Sequence, residues 1–460
     1  MPRINKQQPA KVTPNDSRAA HPDAIRELGE QLVEVLPHSQ FDILERDPAR
    51  LRWHELNKTG LLTPRAMWDK ASMQFSAFLF DDGEPEPVAG LALRPLQEPH
   101  ANDVRFIQAF CRVFNQDLRT APNVLAHAEM WDTLTATRFA RSIGRFSPFS
   151  TLPFMRWLRT IESASHLRYE GAQFRANILM TKQLKWVVDS VRTFVPFPKP
   201  IDFEAVFLHE KWARSLAGEP EVALVGLGHR GSVVGAIAIP KRRPKSIFPP
   251  HKTISGVVSL VRPGTMAFIS APNSDIYVVL PNDGMFVRAQ GRWQYLNYSS
   301  FRDVLRRYIF KTVVDSAFRL VLDLSFQRRG ALLCFLEDSA MVSRAVPDHS
   351  QQNRPNDALR RSGTYLDIKK AEHRQILLAT ASVDGAMVFS KGGKVLDSAC
   401  MIGEPDSAVL SKCEYTQLQR FPGARSTAAW NASMYGLAIK VSEDGPVSVY
   451  KSGKLVGQMA

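Results

Sequence analysis

Cysteine is scarce in this chain: four residues in 460, Cys111, Cys334, Cys400 and Cys413. None stands close to another, which excludes a zinc ribbon or a disulfide framework and leaves reduced, buried thiols as the expectation. Long apolar runs are missing too. No uninterrupted hydrophobic stretch approaches the ~20 residues a membrane-spanning helix needs, and the opening MPRINKQQPAKVTPND has no apolar segment of the kind that directs export. A cytoplasmic protein without a membrane partner is expected. Histidines are scattered, and neither H-E-x-x-H nor a nucleophile elbow occurs, so no zinc centre or hydrolase triad is indicated. No internal repeat is found.

What is present is ordinary globular material, 44% hydrophobic and 23% charged, in a length suited to two or three cores. The net charge of +14 directs attention to anionic partners: nucleic acid, nucleotides or acidic lipid. Residues 361–460 hold 12 Lys and Arg against 9 Asp and Glu, a net of +3 that leaves +11 upstream. The surplus is not C-terminal.

Along the chain, residues 1–22 are polar and rich in turn formers, and read as a disordered tail. PDAIRELGEQLVEVL places Ile25, Leu28, Leu32 and Val33 on one helical face. DDGEPEP reads as the turn of a hairpin, whereas MWDTLTATRFARSIGRF and FRANILMTKQLKWVVDSVRTF read as helices. From Glu221 to about Gln294 strands and turns alternate. Near Ser300 the pattern becomes helical, with Ser300 and Asp303 spaced as a capping pair. An α/β alternation then follows: a strand in GALLCFL, a polar loop over SRAVPDHSQQNRPNDALRRSG and a helix in DIKKAEHRQILLATAS. A hairpin turning at Gly392 and Gly393 comes next, and two strands end the chain. The expected fold class is α/β: residues 23–299 form an α+β region, divisible near 200–220, and residues 300–460 form a C-terminal domain.

Three upstream motifs compete for a functional reading. EVALVGLGHRGSVVG satisfies G-x-G-x-x-G with Gly226, Gly228 and Gly231, but a dinucleotide fold needs a helix there and an acid ~20 positions on. The following SVVGAIAIP is β-branched, and no Asp or Glu lies between Glu221 and Asp275, so a β-hairpin is predicted. PKRRPKSIFPPHK, in the same acid-free interval, is a solvated loop or a phosphate-contacting one. TRFARSIGRFSPFSTLPFMRWLRTI interleaves Arg138, Arg141, Arg145, Arg156 and Arg159 with aromatics, as a base-stacking surface would. A helix pair with an aromatic core and snorkelling arginines explains it better.

The C-terminal pieces agree with one another. Asp384 lies at a helix-to-strand junction, suited to holding a divalent metal or orienting a hydroxyl, and Gly385 and Ala386 leave room for a ligand near the backbone. In FPGARSTAAWNAS, Gly423 and Ala424 open a helix whose first-turn amides and dipole favour an anion. Arg425 offers a fork for phosphate oxygens, and Ser426 and Thr427 offer hydroxyls. An N-capped structural helix with one surface arginine is the alternative. KVSEDG sets Ser442 and Glu443 at a strand end, where Glu443 is a candidate second carboxylate for the metal.

In this order, roughly Ser300 to Ala460 resembles the diadenylate cyclase domain, the catalytic domain of the DNA-integrity scanning proteins and their relatives. RRGALLCFL, the D-G-A of Asp384, Gly385 and Ala386, GARSTAA and VSEDGPVSVYKSGKL carry the resemblance. It implies a mixed β-sheet flanked by helices and the synthesis of cyclic di-AMP from two ATP molecules with release of pyrophosphate. Two domains meet face to face in a homo-oligomer, and Mg²⁺ or Mn²⁺ takes part. By resemblance Asp384 assists the 3′-hydroxyl and the metal, and Gly385 and Ala386 line the nucleotide. Gly423, Ala424, Arg425, Ser426, Thr427 and Ser442 bind it, with Arg425 holding phosphate, and Glu443 helps to hold metal. The family's G-T-R-H-R segment is Gly423, Ala424, Arg425, Ser426, Thr427 here, so one arginine stays and the histidine and second arginine are lost. Such a loss removes a few kcal/mol of transition-state stabilisation. Residues 23–299 are then expected to act as a sensor or regulatory region. The rival expectations are a catalytically silent nucleotide-binding sensor on the same fold, and a nucleic-acid-binding protein acting through its basic upstream part.

Overall fold

The structure, a computed structural model, describes residues 21–57, 65–81, 84–121, 128–169, 172–228, 230–239, 256–271, 274–282 and 284–459. The basic PKRRPKSIFPPHK stretch lies outside them. The chain is mixed α/β and divides into two compact units, one made of residues up to Pro95 with Asp103–Phe146, the other of Leu96–Asn102 with Ser147–Ala460.

The first unit holds an antiparallel sheet of strands β1 (Gln40–Leu44), β2 (Ala66–Asp69), β3 (Gln74–Leu79) and β4 (Ala89–Arg94), in the order β1-β4-β3-β2. β3 and β4 form the hairpin expected around DDGEPEP. Helix α1 (His21–Val35) begins inside the segment expected to be a tail, and buries Ile25, Leu28 and Leu32. Helices α2 (Arg46–Leu56), α3 (Ala101–Thr120) and α4 (Ala128–Phe146) follow. On α4, Arg138 does not snorkel. It is 1% exposed, with Nε 2.8 Å from Asp117 Oδ2 and Nη1 2.9 Å from Glu27 Oε1, while Arg141 Nη1 lies 2.6 Å from Asp117 Oδ1. These two arginines neutralise acids of their own unit.

In the second unit, α5 (Thr151–Ser165), α6 (Leu184–Ser190), α7 (Phe203–Leu208) and α8 (Lys211–Gly218) accompany an eight-stranded sheet. Its strands are β5 (Ala176–Thr181), β6 (Phe194–Asp202), β7 (Val222–Leu227), β8 (Ser232–Ala238), β9 (Thr265–Ser270), β10 (Ile276–Leu280), β11 (Gly284–Ala289) and β12 (Arg292–Leu296), in the order β12-β11-β10-β9-β5-β7-β8-β6. Only β5 and β7 pair in parallel. Strands from both sides of residues 200–220 share this sheet, so it is continuous where a division was expected. FRANILMTKQLKWVVDSVRTF is not one helix, because ANILMT is a strand buried at all six positions before α6 starts. β7 and β8 form the predicted hairpin. Its glycines serve packing: a Cβ on Gly226 would meet Met180 Sδ at 2.5 Å, and one on Gly228 would meet Phe149 Cε1 at 2.0 Å.

Helices α9 (Tyr298–Tyr308) and α10 (Lys311–Phe326) lead into a six-stranded mixed sheet. Asn297, not Ser300, is the α9 N-cap, and neither Ser300 nor Asp303 caps. Ser300 Oγ accepts from the His100 amide at 3.1 Å, and Asp303 accepts from Arg306 at 2.7 Å. The sheet comprises β13 (Ala331–Leu336), β14 (Ala386–Ser390), β15 (Val395–Cys400), β16 (Gly436–Val441), β17 (Val447–Lys451) and β18 (Lys454–Met459), in the order β15-β14-β13-β16-β17-β18. β13 and β14 are parallel and every other pair is antiparallel. The chain thus ends in three strands rather than two.

The polar segment read as loop contains helices α11 (Val342–Ala345) and α12 (Asp357–Gly363), followed by α13 (Arg374–Ala381), α14 (Ser407–Lys412) and α15 (Ala424–Ser433). Strand alternation divides the apolar side chains between the two faces of the sheet. Leu332, Cys334, Ala386, Val388 and Ala438 pack with Trp430 and Ala429 of α15. Leu333, Phe335, Met387, Phe389 and Ile439 pack with Phe318, Val321 and Leu377 of α10 and α13. This second core also takes in Val225, Ala267 and Val279 of the eight-stranded sheet, so residue 300 lies within one continuous core. The four cysteines are free, three buried and Cys413 half-buried. Among the described residues no helix is long and apolar enough to cross a membrane.

Candidate functional site

Parallel pairing of β13 and β14, with Leu332 opposite Ala386, puts both strand beginnings at one end of the sheet. β16 runs the other way, Ala331 opposite Val441, so its end arrives there too. α15 precedes β16 and packs along it, which brings its first turn to the same place. Four chain segments therefore meet at this end: Arg329–Gly330 before β13, Asp384–Gly385 before β14, Ser442–Gly445 after β16, and Gly423–Thr427 opening α15.

Arg425, in the first turn of α15, sends Nη1 to within 3.3 Å of Glu443 Oε1. Both side chains lie over Gly330, where a Cβ would meet Arg425 Nη1 at 2.2 Å and Glu443 Cγ at 2.9 Å. Arg329 Nη1 donates to Ser382 Oγ at 3.4 Å, reaching the turn that carries Asp384. Asp384 itself is exposed. Lys440, on β16, donates from Nζ to Ser426 Oγ at 2.9 Å. The β16–β17 turn is held by Ser325 Oγ donating to the Gly445 carbonyl at 2.6 Å and by Ser442 N donating to the Pro446 carbonyl at 2.9 Å.

The other sequence candidates divide. Gly423 adopts φ +91° before α15, and a Cβ there would find nothing nearer than Ser426 Oγ at 3.9 Å, so with exposed Ala424 it leaves the approach to the helix open. Gly385 at φ +111° is required for another reason than ligand access: a Cβ would meet the backbone of β15, Ala399 C at 2.7 Å and Cys400 N at 2.8 Å. The space expected for a ligand is filled by a strand. Ala386 is buried in the sheet core, and any contact it makes with a ligand is through backbone. The Thr427 hydroxyl is engaged within its own loop, accepting from Phe421 N at 3.0 Å and donating to Phe421 O at 3.3 Å. The helix has no side-chain N-cap, so the alternative of a capped structural helix does not hold in that form.

Sequence reasoning missed Lys440, Arg329 and Gly330. RRGALLCFL contained the last two, but their role depends on strand register. Among the described residues no group of three or more His, Cys, Asp or Glu gathers as a metal cluster. The carboxylates of Asp384 and Glu443 are hard oxygen donors, the ligand type that Mg²⁺ and Mn²⁺ take when phosphates and water complete the shell. Comparison of the sequence with models of known protein families and with curated proteins gave no match.

Proposed function

We propose that this end of the C-terminal sheet binds ATP, and that the protein joins two ATP molecules into cyclic di-AMP or a related cyclic dinucleotide. The observation that carries the reading is the meeting of Arg425, Glu443 and Gly330 beside the turn that bears Asp384. Phosphoryl transfer asks for positioning and for cationic donors around the phosphates. Arg425 supplies a guanidinium in a helix first turn, Lys440 a second cation next to Ser426, and Arg329 a third near Ser382. The latter two answer the loss of the second arginine from the G-A-R-S-T segment.

In each half-reaction the 3′-oxygen of one nucleotide bonds to the α-phosphorus of the other. The bond from that phosphorus to the bridging oxygen breaks, pyrophosphate leaves, and Asp384 accepts the hydroxyl proton. Repetition in the opposite sense closes the ring, which requires two copies facing each other. Asp384 and Glu443 would hold a divalent metal, which neutralises phosphate charge. The upstream residues of the same unit, among them Val225, Ala267 and Val279, share a core with this domain, and the region before residue 300 would regulate it.

Purified full-length protein incubated with ATP and Mg²⁺ or Mn²⁺, then chromatographed, tests the reading. A cyclic dinucleotide formed by the wild type and lost in Asp384→Ala is expected; intact ATP after prolonged incubation counts against synthesis. A second reading, nucleotide binding without turnover, is favoured by the Arg425–Glu443 pair, which offsets the arginine's charge before any phosphate arrives. ATP bound and recovered unchanged would select it.

A further inference from the structure

A cavity of about 510 Å³ opens behind the candidate site, against the eight-stranded sheet. Buried Asp275 and Ile276 line it deep inside, and exposed His166 and Gln290 line it near the surface, with Arg288 and Arg328 between them. Arg288 stands opposite Ile276 in the β10–β11 register, next to Asp275. Each guanidinium is held by one acid. Arg328 Nη2 lies 2.9 and 3.2 Å from the two Asp275 oxygens, and Arg288 Nη1 lies 2.8 Å from Glu162 Oε1.

These pairs fix the arginines without exhausting them. The contacts to Asp275 and Glu162 run through one nitrogen of each guanidinium, Nη2 of Arg328 and Nη1 of Arg288. A guanidinium presents five N–H donors in a rigid fork that matches carboxylate or phosphate. Two preset forks in a hollow of ligand size, with a hydrogen-bonding amide at Gln290, make a recognition site rather than a packing defect.

We propose that this cavity binds a small organic or phosphate anion between Arg288 and Arg328. Its position gives the occupant an effect. A narrow crevice of about 40 Å³ continues from Asp275 and Arg328 to Ser325, Asp444 and Gly445, the turn next to Glu443. Arg328, at φ +52°, stands two residues before Gly330, on which Arg425 and Glu443 rest. An anion drawing on Arg328 therefore acts on the floor of the nucleotide site; this regulatory consequence rests on the nucleotide-binding reading, and the binding site itself does not.

The test uses the full chain carrying Gln290→Cys, with citrate and inorganic pyrophosphate as probes. The alkylation rate of the introduced thiol is followed by peptide mass spectrometry, with no ATP present. Either probe should slow alkylation about tenfold at ten times its Kd, and adding Arg288→Gln or Arg328→Gln should abolish the protection. Absence of protection by both probes, or protection unchanged by both arginine substitutions, overturns the proposal. ATP binding, measured separately on the same protein, reports on the nucleotide site, so the two readings fail independently.

Discussion

Arg425 and Glu443 approach to 3.3 Å across a position occupied by Gly330, and no other residue would leave them that place. Eighteen residues separate them in the chain, and the antiparallel return of β16 after α15 closes the distance. The atom that a Cβ would strike most closely is the far end of the arginine, which is free to move aside. Gly330→Ala should therefore leave the thermal midpoint within a few degrees of wild type while displacing Arg425. ATP affinity or turnover should fall about tenfold, equivalent to about 1.4 kcal/mol. Paired calorimetry and nucleotide assays check it, and a loss of folding in place of a loss of function would contradict the geometry.

Gly385 behaves oppositely. Its φ of +111° is one that side chains rarely adopt, and the obstacle is the backbone of a neighbouring strand at 2.7 Å. Gly385→Ala should destabilise by about 3 kcal/mol or more, since both strain and overpacking apply. Urea denaturation followed by tryptophan fluorescence measures this, and a midpoint equal to wild type would show that β15 gives way.

A buried charge network joins the polar segment after β13 to the sheet. Arg360, 1% exposed, donates to Asp397 at 2.9 and 2.8 Å and to Asp348 at 2.6 and 2.7 Å, while His349 Nδ1 lies 2.8 Å from Asp397. Removing one member leaves a buried charge short of its partner, so Asp397→Ala should cost about 3–5 kcal/mol. The double variant Asp397→Leu with Arg360→Met should recover much of that loss. A double variant less stable than the single one would contradict the account.

The Asp323 carboxyl on α10 is pushed up to about 6 by burial, an effect that its ion pair with Arg374 opposes without overcoming. Its folded-state value exceeds the ordinary one near 3.8, so its contribution to stability is complete below that value and is lost as pH rises through about 6. The slope between those limits amounts to something on the order of 2–3 kcal/mol. Asp323→Asn should flatten it. Unfolding free energies measured across this pH range decide the matter, and an unchanged slope in the variant assigns it elsewhere.

Much of this architecture was readable in advance where local pattern and tertiary demand agree. GALLCFL, the turn at Gly392 and Gly393, and the glycine hairpin after Glu221 all show short apolar runs bounded by turn formers. ANILMT misled because a fully buried strand lacks polar alternation and abuts the real helix at Leu184. The segment after Met341 looked like loop because its order comes from Arg360, Asp348 and Asp397, residues brought together only by folding. At the candidate site, Asp384, Arg425 and Glu443 were nominated by residue type and order. Lys440 and Arg329 were invisible, since their neighbours are set by the β13–β16 register and by the reach of a side chain across a turn.

The shared hydrophobic interior on either side of residue 300 has a practical outcome for anyone cutting this gene. A fragment beginning there would bare the flank of Phe318 and Phe326 that Tyr298 and Tyr277 cover, inviting aggregation. Any shift in the eight-stranded sheet is felt by the C-terminal sheet as pressure through touching side chains, not as a tug on a tether.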